Sequence, residues 1–296
     1  MGSISVFNDF STFCKNLEIS DPTIENIRLR YKAITKRINQ EYWGSSSDSS
    51  HSLYVGSYGR GTCIRTSDID IVVELPWSEF SRYDDYSGNG QSALLASVRN
   101  KLLKTYSCSK VSADGQVVDI NFSDGVKFEI VPAFAFSSDS GYYYPDTNNG
   151  GSWRSMNPKK EIDSFNARNS LCKGNLKRLC RMARAWNNNC TVLLDGMTID
   201  TVAFNFLRSY EYADKGFTYY DWLSRDFFKY LVDNSAKNEW EKPGNTGCTR
   251  SRYPFKRDAE EAYAKCLEAL SDFSHDYAYC WHDDWRSIYG TNFPKS

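Results

Sequence analysis

Residues 56–70 read Gly-Ser-Tyr-Gly-Arg-Gly-Thr-Cys-Ile-Arg-Thr-Ser-Asp-Ile-Asp, and the run closes on two aspartates, Asp68 and Asp70, two residues apart. In a strand that spacing sends both carboxylates to one face and Ile69 and Ile71 to the other. Two acids side by side repel unless a divalent cation sits between them. Mg2+ takes few carboxylates and keeps coordination positions open for phosphate oxygens. Before them, with ten residues between, stands the pair Gly56-Ser57, in a glycine-rich stretch whose backbone N–H groups can approach a triphosphate. The chemistry these residues suit is metal-assisted transfer at a phosphorus atom.

Such a transfer is an in-line attack by a hydroxyl on an α-phosphate. Two metal ions about 4 Å apart activate the attacking oxygen and stabilise the leaving pyrophosphate, which calls for a third carboxylate. Glu129, in Lys127-Phe128-Glu129-Ile130-Val131-Pro132-Ala133-Phe134, is one candidate, because an acid in an apolar strand is costly unless paired or metal-bound. Asp119, in Val118-Asp119-Ile120, competes with it, and spacing alone does not separate the two. A local basic cluster follows at Lys173, Lys177, Arg178, Arg181 and Arg184. Arg181 and Arg184 are three apart and so share one side of a helix. The alternative is a solvated basic face with no ligand.

Gly56-Ser57, then Asp68-Ile69-Asp70, then Glu129 ahead of Ile-Val-Pro-Ala-Phe resemble the minimal nucleotidyltransferases of polymerase-β type. More narrowly they resemble the cGAS/DncV-like nucleotidyltransferases and the oligoadenylate synthases. The third acid is often Asp in that family and is Glu here. The segment 176–186 looks like the family's helix that brings basic residues to the nucleotide phosphates, with Arg184 standing where Lys is usual. Residues 199–207, 220–228 and 285–294 look like bacterial members. The resemblance implies an α/β (α+β) polymerase-β-like fold. A mixed-sheet catalytic lobe with a long spine helix would span residues 1–160, and a helical-bundle lobe residues 161–296, with the active site in the cleft between them.

It further implies that Asp68, Asp70 and Glu129 are catalytic and hold two Mg2+ or Mn2+ ions. Gly56, Ser57, Lys177, Arg181 and Arg184 would bind the triphosphate. The substrates would be NTPs, ATP and GTP foremost, and the product a purine-containing cyclic dinucleotide. That product would be a second messenger in anti-phage CBASS signalling, sensed by an effector protein encoded nearby. The alternatives are a linear 2′–5′ oligoadenylate synthase or an enzyme that adds nucleotides to RNA.

These residues need elements to position them. Asp21-Pro22 starts a helix, and Ile24, Ile27, Tyr31, Ile34 and Ile38 keep helical spacing, which predicts a helix over 22–42. Strands are expected at 52–55, 68–75, 116–122 and 126–131, the last two joined by the hairpin signal Asp124-Gly125. A helix is expected over 93–106, loops over 77–92, 137–160 and 240–254, and helices over 168–188, 197–212, 220–233 and 256–272.

Composition narrows the setting. Lys and Arg number 36 against 37 Asp and Glu, so no basic excess marks a bulk binder of nucleic acid, and no stable DNA or RNA partner is expected. No run reaches the roughly 18 apolar residues that span a membrane, and residues 1–20 carry no export signal. Nine cysteines, odd in number and without paired spacing, then point to reduced thiols and a cytoplasmic setting. Cys266, Cys280 and His282 match no structural zinc spacing. Of the many aromatics, Tyr220 could stack on a base, though such residues mostly fill cores.

Overall fold

The computed structural model describes residues 4–64, 68–136, 141–237 and 239–295. The chain divides into a sheet unit, Ile19–Gly61 with Thr66–Ile162, and a helical unit, Met1–Glu18 with Thr62–Arg65 and Asp163–Ser296.

Helix α1 (Val6–Asn16) belongs to the helical unit, although it comes first in the chain. Its cap is Ser5, whose Oγ accepts from the Asn8 amide at 3.3 Å. Helix α2 (Asp21–Tyr42) starts with Pro22 in its first turn, where the missing N–H costs nothing. Then follow β1 (Ser52–Tyr54), the short helix α3 (Gly56–Arg60), β2 (Ile69–Glu74), α4 (Trp77–Asp84) and α5 (Gly90–Leu103). Strands β3 (Lys110–Asp114), β4 (Val117–Asn121), β5 (Lys127–Ala135), β6 (Tyr142–Asp146) and β7 (Ser152–Met156) complete the sheet unit.

The sheet runs β1-β2-β5-β4-β3, and β6 and β7 extend it from the far end of β5. It is mixed: β2 and β5 are parallel, and the other neighbours are antiparallel. Register pairs Ile69 with Phe128, Ile71 with Ile130, and Ile130 in turn with Val118. These residues share one face with Val73 and Ile120 and bury against Ile27, Ile34 and Ile38 of α2 and Leu94, Leu95, Val98 and Leu102 of α5. At about 1.5–3 kcal/mol for each large aliphatic side chain buried, this layer fixes the register, since a one-residue slip would turn the whole set to the other face. Pro132 is tolerated inside β5 for a geometric reason. Ala133 O accepts from the Leu75 amide at 2.8 Å, so Ala133 faces β2 and Pro132 turns its nitrogen to the opposite edge. There the pairing with β4 has already ended, at Ile130.

Two stretches expected to be loops are ordered. Residues 77–84 form α4, because Trp77, Phe80 and Tyr83 recur at three-residue spacing and Phe80 packs on Phe134 and Trp153. Within 137–160, residues 142–156 form the β6–β7 hairpin, and Trp153 Nε1 donates to Asp84 Oδ1 at 2.8 Å. Residues 137–140 lie outside the described residues. Strand β3 and helix α1 had no sequence expectation.

The remaining elements are α6 (Pro158–Leu171), α7 (Asn175–Asn189), α8 (Gly196–Leu207), α9 (Tyr220–Asp233), the small ribbon β8 (Trp240–Glu241) and β9 (Cys248–Thr249), α10 (Lys256–Ser274) and α11 (Ala278–Tyr289). The single helix expected over 168–188 is two, because Lys173 (φ 49°) and Gly174 (φ 89°) are left-handed and end the first. The core of the helical unit is strongly aromatic: Trp186, Trp281, Trp285, Tyr220, Tyr289 and Phe228 are fully buried, with Phe10 and Phe13 of α1 among them. No helix among the described residues is long and apolar enough to cross a membrane.

Candidate active site

The second face of the sheet carries a row of acids. Asp70 lies opposite Glu129 across β2 and β5, and Glu129 lies opposite Asp119 across β5 and β4. Three carboxylates therefore stand in a row on neighbouring strands, and Asp68, two residues before Asp70, shares their side. The same face is apolar farther along, where Val72 and Ala133 bury against Val55. Both third-acid candidates thus lie in the row, with Glu129 next to Asp70 and Asp119 one strand beyond.

The row is electrostatically crowded. Burial pushes the Asp70 carboxyl up to about 7, and the charge of Glu129 and a hydrogen bond to it push the same way, against the pull of Arg60. Burial also raises Asp68 and Asp119, with Lys127 opposing the shift in both. Lys127 answers part of this negative charge. Its ammonium donates to Glu129 and lies 3.4 Å from Asp119 Oδ1. Burial would lower the Lys127 pKa, but the hydrogen bond to Glu129 and the surrounding acids hold it above the usual range. With Glu129 turned onto Lys127, no three His, Cys, Asp or Glu side chains among the described residues are grouped around one point as a metal would need. The donor chemistry nonetheless suits a hard cation: the row offers only carboxylate oxygens, and their mutual repulsion is what such an ion relieves.

Gly56 sits against this row. Its φ is +59°, and a Cβ there would fall 1.9 Å from Asp70 Oδ2, so only glycine admits the approach. The turn is fixed to the strand by the Val55 amide, which donates to Asp70 O at 2.9 Å. At its far end, buried Arg60 is ion-paired with Glu161. Ser57 is half-buried in α3, one residue after Gly56.

On α7, Lys177, Arg181 and Arg184 follow a four-then-three spacing and so share a side of the helix. Burial lowers the Lys177 ammonium, and the charge of Arg181 adds to the shift. Arg181 lies 3.4 Å from Glu18 Oε1. Arg184 departs from expectation. Its side chain is 8% exposed, its guanidinium is ion-paired with fully buried Asp200, and its Nη2 donates to Gly196 O at 2.9 Å. The guanidinium, so enclosed and neutralised, ties α7 to the start of α8. Tyr220 is likewise core: it is 1% exposed, and its hydroxyl donates to Asn175 Oδ1 at 2.8 Å. Lys127 and Asp200 were missed in the sequence. The available signal for Asp200 was an acid inside the apolar run Ile199–Val202.

A mixed sheet with adjoining acids on β2 and β5, a glycine turn against them and a helical unit define a nucleotidyltransferase of the polymerase-β-like fold. The model of the Second Messenger Oligonucleotide or Dinucleotide Synthetase (SMODS) domain matches residues 4–169, and the chain belongs to that family of cyclic oligonucleotide synthases. Similar solved structures include CdnC of E. coli MS115-1 with ATP, at TM-score 0.69 and 16% identity, covering 97% of this chain and 98% of that one. CdnG of Bradyrhizobium diazoefficiens, in complex with GTP, aligns at TM-score 0.69 and 13% identity over 97% and 95% of the two chains. Vibrio cholerae DncV cyclic AMP-GMP synthase, with its linear intermediate 5′ pppA(3′,5′)pG, aligns at TM-score 0.68 and 16% identity over 95% and 93%. No curated relative matches the sequence.

Proposed function

We propose that this protein joins nucleoside triphosphates through phosphodiester bonds in steps and closes a small ring, releasing pyrophosphate at each bond. The observation that carries this is the register placing Asp70 beside Glu129, with Gly56 held against Asp70. Asp68, Asp70 and Glu129 would hold Mg2+ or Mn2+, two ions, which supply activation of the attacking hydroxyl and neutralise the leaving pyrophosphate. Gly56 and Ser57 would receive the triphosphate, since Gly56, with no side chain of its own, brings its backbone against Asp70. Lys177 and Arg181 would neutralise it: a pair of neighbouring cations is relieved by an anion. Asp70, held as the acid to about pH 7 by burial and Glu129, would give up its proton when a cation enters.

The substrates we favour are ATP and GTP, and the product a purine-containing cyclic dinucleotide. Support comes from the solved relatives, one bound to ATP, one to GTP, and one a cyclic AMP-GMP synthase. A role in cytoplasmic anti-phage signalling through an effector fits the same family and belongs to the proposal. The purified protein, given four labelled NTPs with Mg2+ or Mn2+, should yield a phosphatase-resistant product, and Asp68→Ala/Asp70→Ala should abolish it. Phosphatase-sensitive products would instead show linear oligonucleotides. Equal yield from wild type and double variant would remove the acids from the reaction.

A further inference from the structure

Lys127 stands beside the row of acids, on the same strand as Glu129. The two are two residues apart on β5, so their side chains leave the same face of the sheet. The ammonium donates to Glu129 Oε1 and lies 3.4 Å from Asp119 Oδ1 on β4. That Asp119 oxygen is buried without a hydrogen bond, so the approach of the ammonium is an ion pair only. The register shows how one side chain reaches both acids: Asp119 lies opposite Glu129, and Lys127 pairs with Asn121, two residues along the same strand as Asp119. Arg60, whose charge also acts on Asp70, is already tied to Glu161, and both belong to the sheet unit.

Strand formation does not call for this lysine. Lys is depleted in strands, and a partly exposed ion pair adds little to stability. What Lys127 changes is the charge of the row. Asp68, Asp70, Asp119 and Glu129 crowd one side of the sheet, and without a cation their repulsion is unrelieved. The ammonium brings a positive charge to that side and holds Glu129, whose oxygens a hard divalent ion would use. A point charge on a flexible four-carbon stem gives way more readily than a guanidinium bound through two parallel hydrogen bonds. Its next position is at hand, because Asp119 offers a buried oxygen 3.4 Å away.

We propose that Lys127 is a resident counter-cation, which occupies Glu129 in the metal-free protein and passes to Asp119 when Mg2+ or Mn2+ enters. The two candidate third acids then have different tasks: Glu129 is the ligand, and Asp119 is the dock that receives Lys127. The inference rests on the metal site proposed above, and its test reads the binding of Mn2+ alone, by calorimetry without NTP. Lys127→Met removes the competing charge and keeps the length of the stem, so Mn2+ affinity should rise about tenfold, as loss of a like charge beside the ion requires. Lys127→Arg, which keeps the charge, should show no rise. Asp119→Asn should weaken Mn2+ binding about fivefold where Lys127 is present, because the ammonium then has no second acid, and by less than about twofold in Lys127→Met. Glu129→Gln should weaken binding in both backgrounds.

Mn2+ binding unchanged or weaker in Lys127→Met would overturn the inference. So would equal weakening by Asp119→Asn with and without Lys127, which would make Asp119 a ligand in its own right. Thermal unfolding gives a second measure: saturating Mn2+ should raise the Tm of Lys127→Met by more than it raises that of wild type, and an equal or smaller rise counts against the proposal. Wild type and Lys127→Met that both bind Mn2+ no better than Asp68→Ala/Asp70→Ala would sink the metal site itself, and the role of Lys127 with it. Wild type that binds Mn2+ but forms no phosphodiester product would fail the proposed function alone, and the Lys127 comparison would still decide this inference.

Discussion

Asp70 is the residue whose environment makes the clearest demand. In the unfolded chain its carboxyl ionises near pH 4, whereas burial beside Glu129 keeps it protonated in the fold to about 7. The folded state therefore binds more protons between these limits, and its stability must decline as pH rises through that window. In a metal chelator, the midpoint of urea unfolding of wild type should drop from pH 4 to pH 7 relative to Asp70→Asn. A difference between the two proteins that stays flat with pH would place the proton elsewhere. A divalent cation bound at Asp70, as proposed, would displace the same proton, so apparent Mg2+ affinity should climb up to about pH 7, with proton release visible in buffers of different ionisation enthalpy. The acids were legible because a strand has period two and the third acid falls in a second strand with the same alternation. Arg184 was not: helical spacing says which side a residue is on, but not that Asp200, sixteen residues on, fills that side.

Short elements are built to bring backbone close to the row. Gly56 and Gly115 both have φ +59°, but a Cβ at Gly115 meets nothing within 4 Å, and one at Gly56 meets Asp70. Gly115→Ala should cost only the left-handed backbone penalty, about 1–2 kcal/mol, and leave NTP turnover within twofold. Gly56→Ala adds the clash and should abolish turnover while destabilising by more than Gly115→Ala in urea unfolding. Equal costs and retained activity in both would mean that the approach of Gly56 to Asp70 has no functional weight. The apolar strands and α2 were readable from their periodicities. Helix α4 and the β6–β7 hairpin were not, since Ser, Asp, Gly and Asn dominate those stretches. Their order comes instead from aromatics meeting across distant sequence, such as Phe80 with Trp153 at 4.7 Å.

The helical unit draws on both ends of the molecule's sequence. Phe10 stacks edge-on with Trp285 at 5.0 Å and with Phe293 at 5.2 Å, and Phe13 meets Tyr289 at 4.6 Å. Trp281 Nε1 donates to Asp9 Oδ2 at 3.3 Å. Closing a loop of this length costs entropy before any contact repays it, so α1 should dock late, after α7 to α11 have formed their own core. Phe13→Ala, which empties a fully buried site, should destabilise the protein by about 3–5 kcal/mol, whereas Leu171→Ala, at a side chain 70% exposed, should fall within about 0.5 kcal/mol of wild type. Because α1 joins after the rate-limiting step, nearly all of the Phe13→Ala cost should appear as faster unfolding, with refolding changed less than threefold. Stopped-flow tryptophan fluorescence reports both limbs, since Trp281 and Trp285 line the α1 site. Refolding slowed in proportion to the lost stability would show instead that the two ends of the sequence meet before the helical core is made.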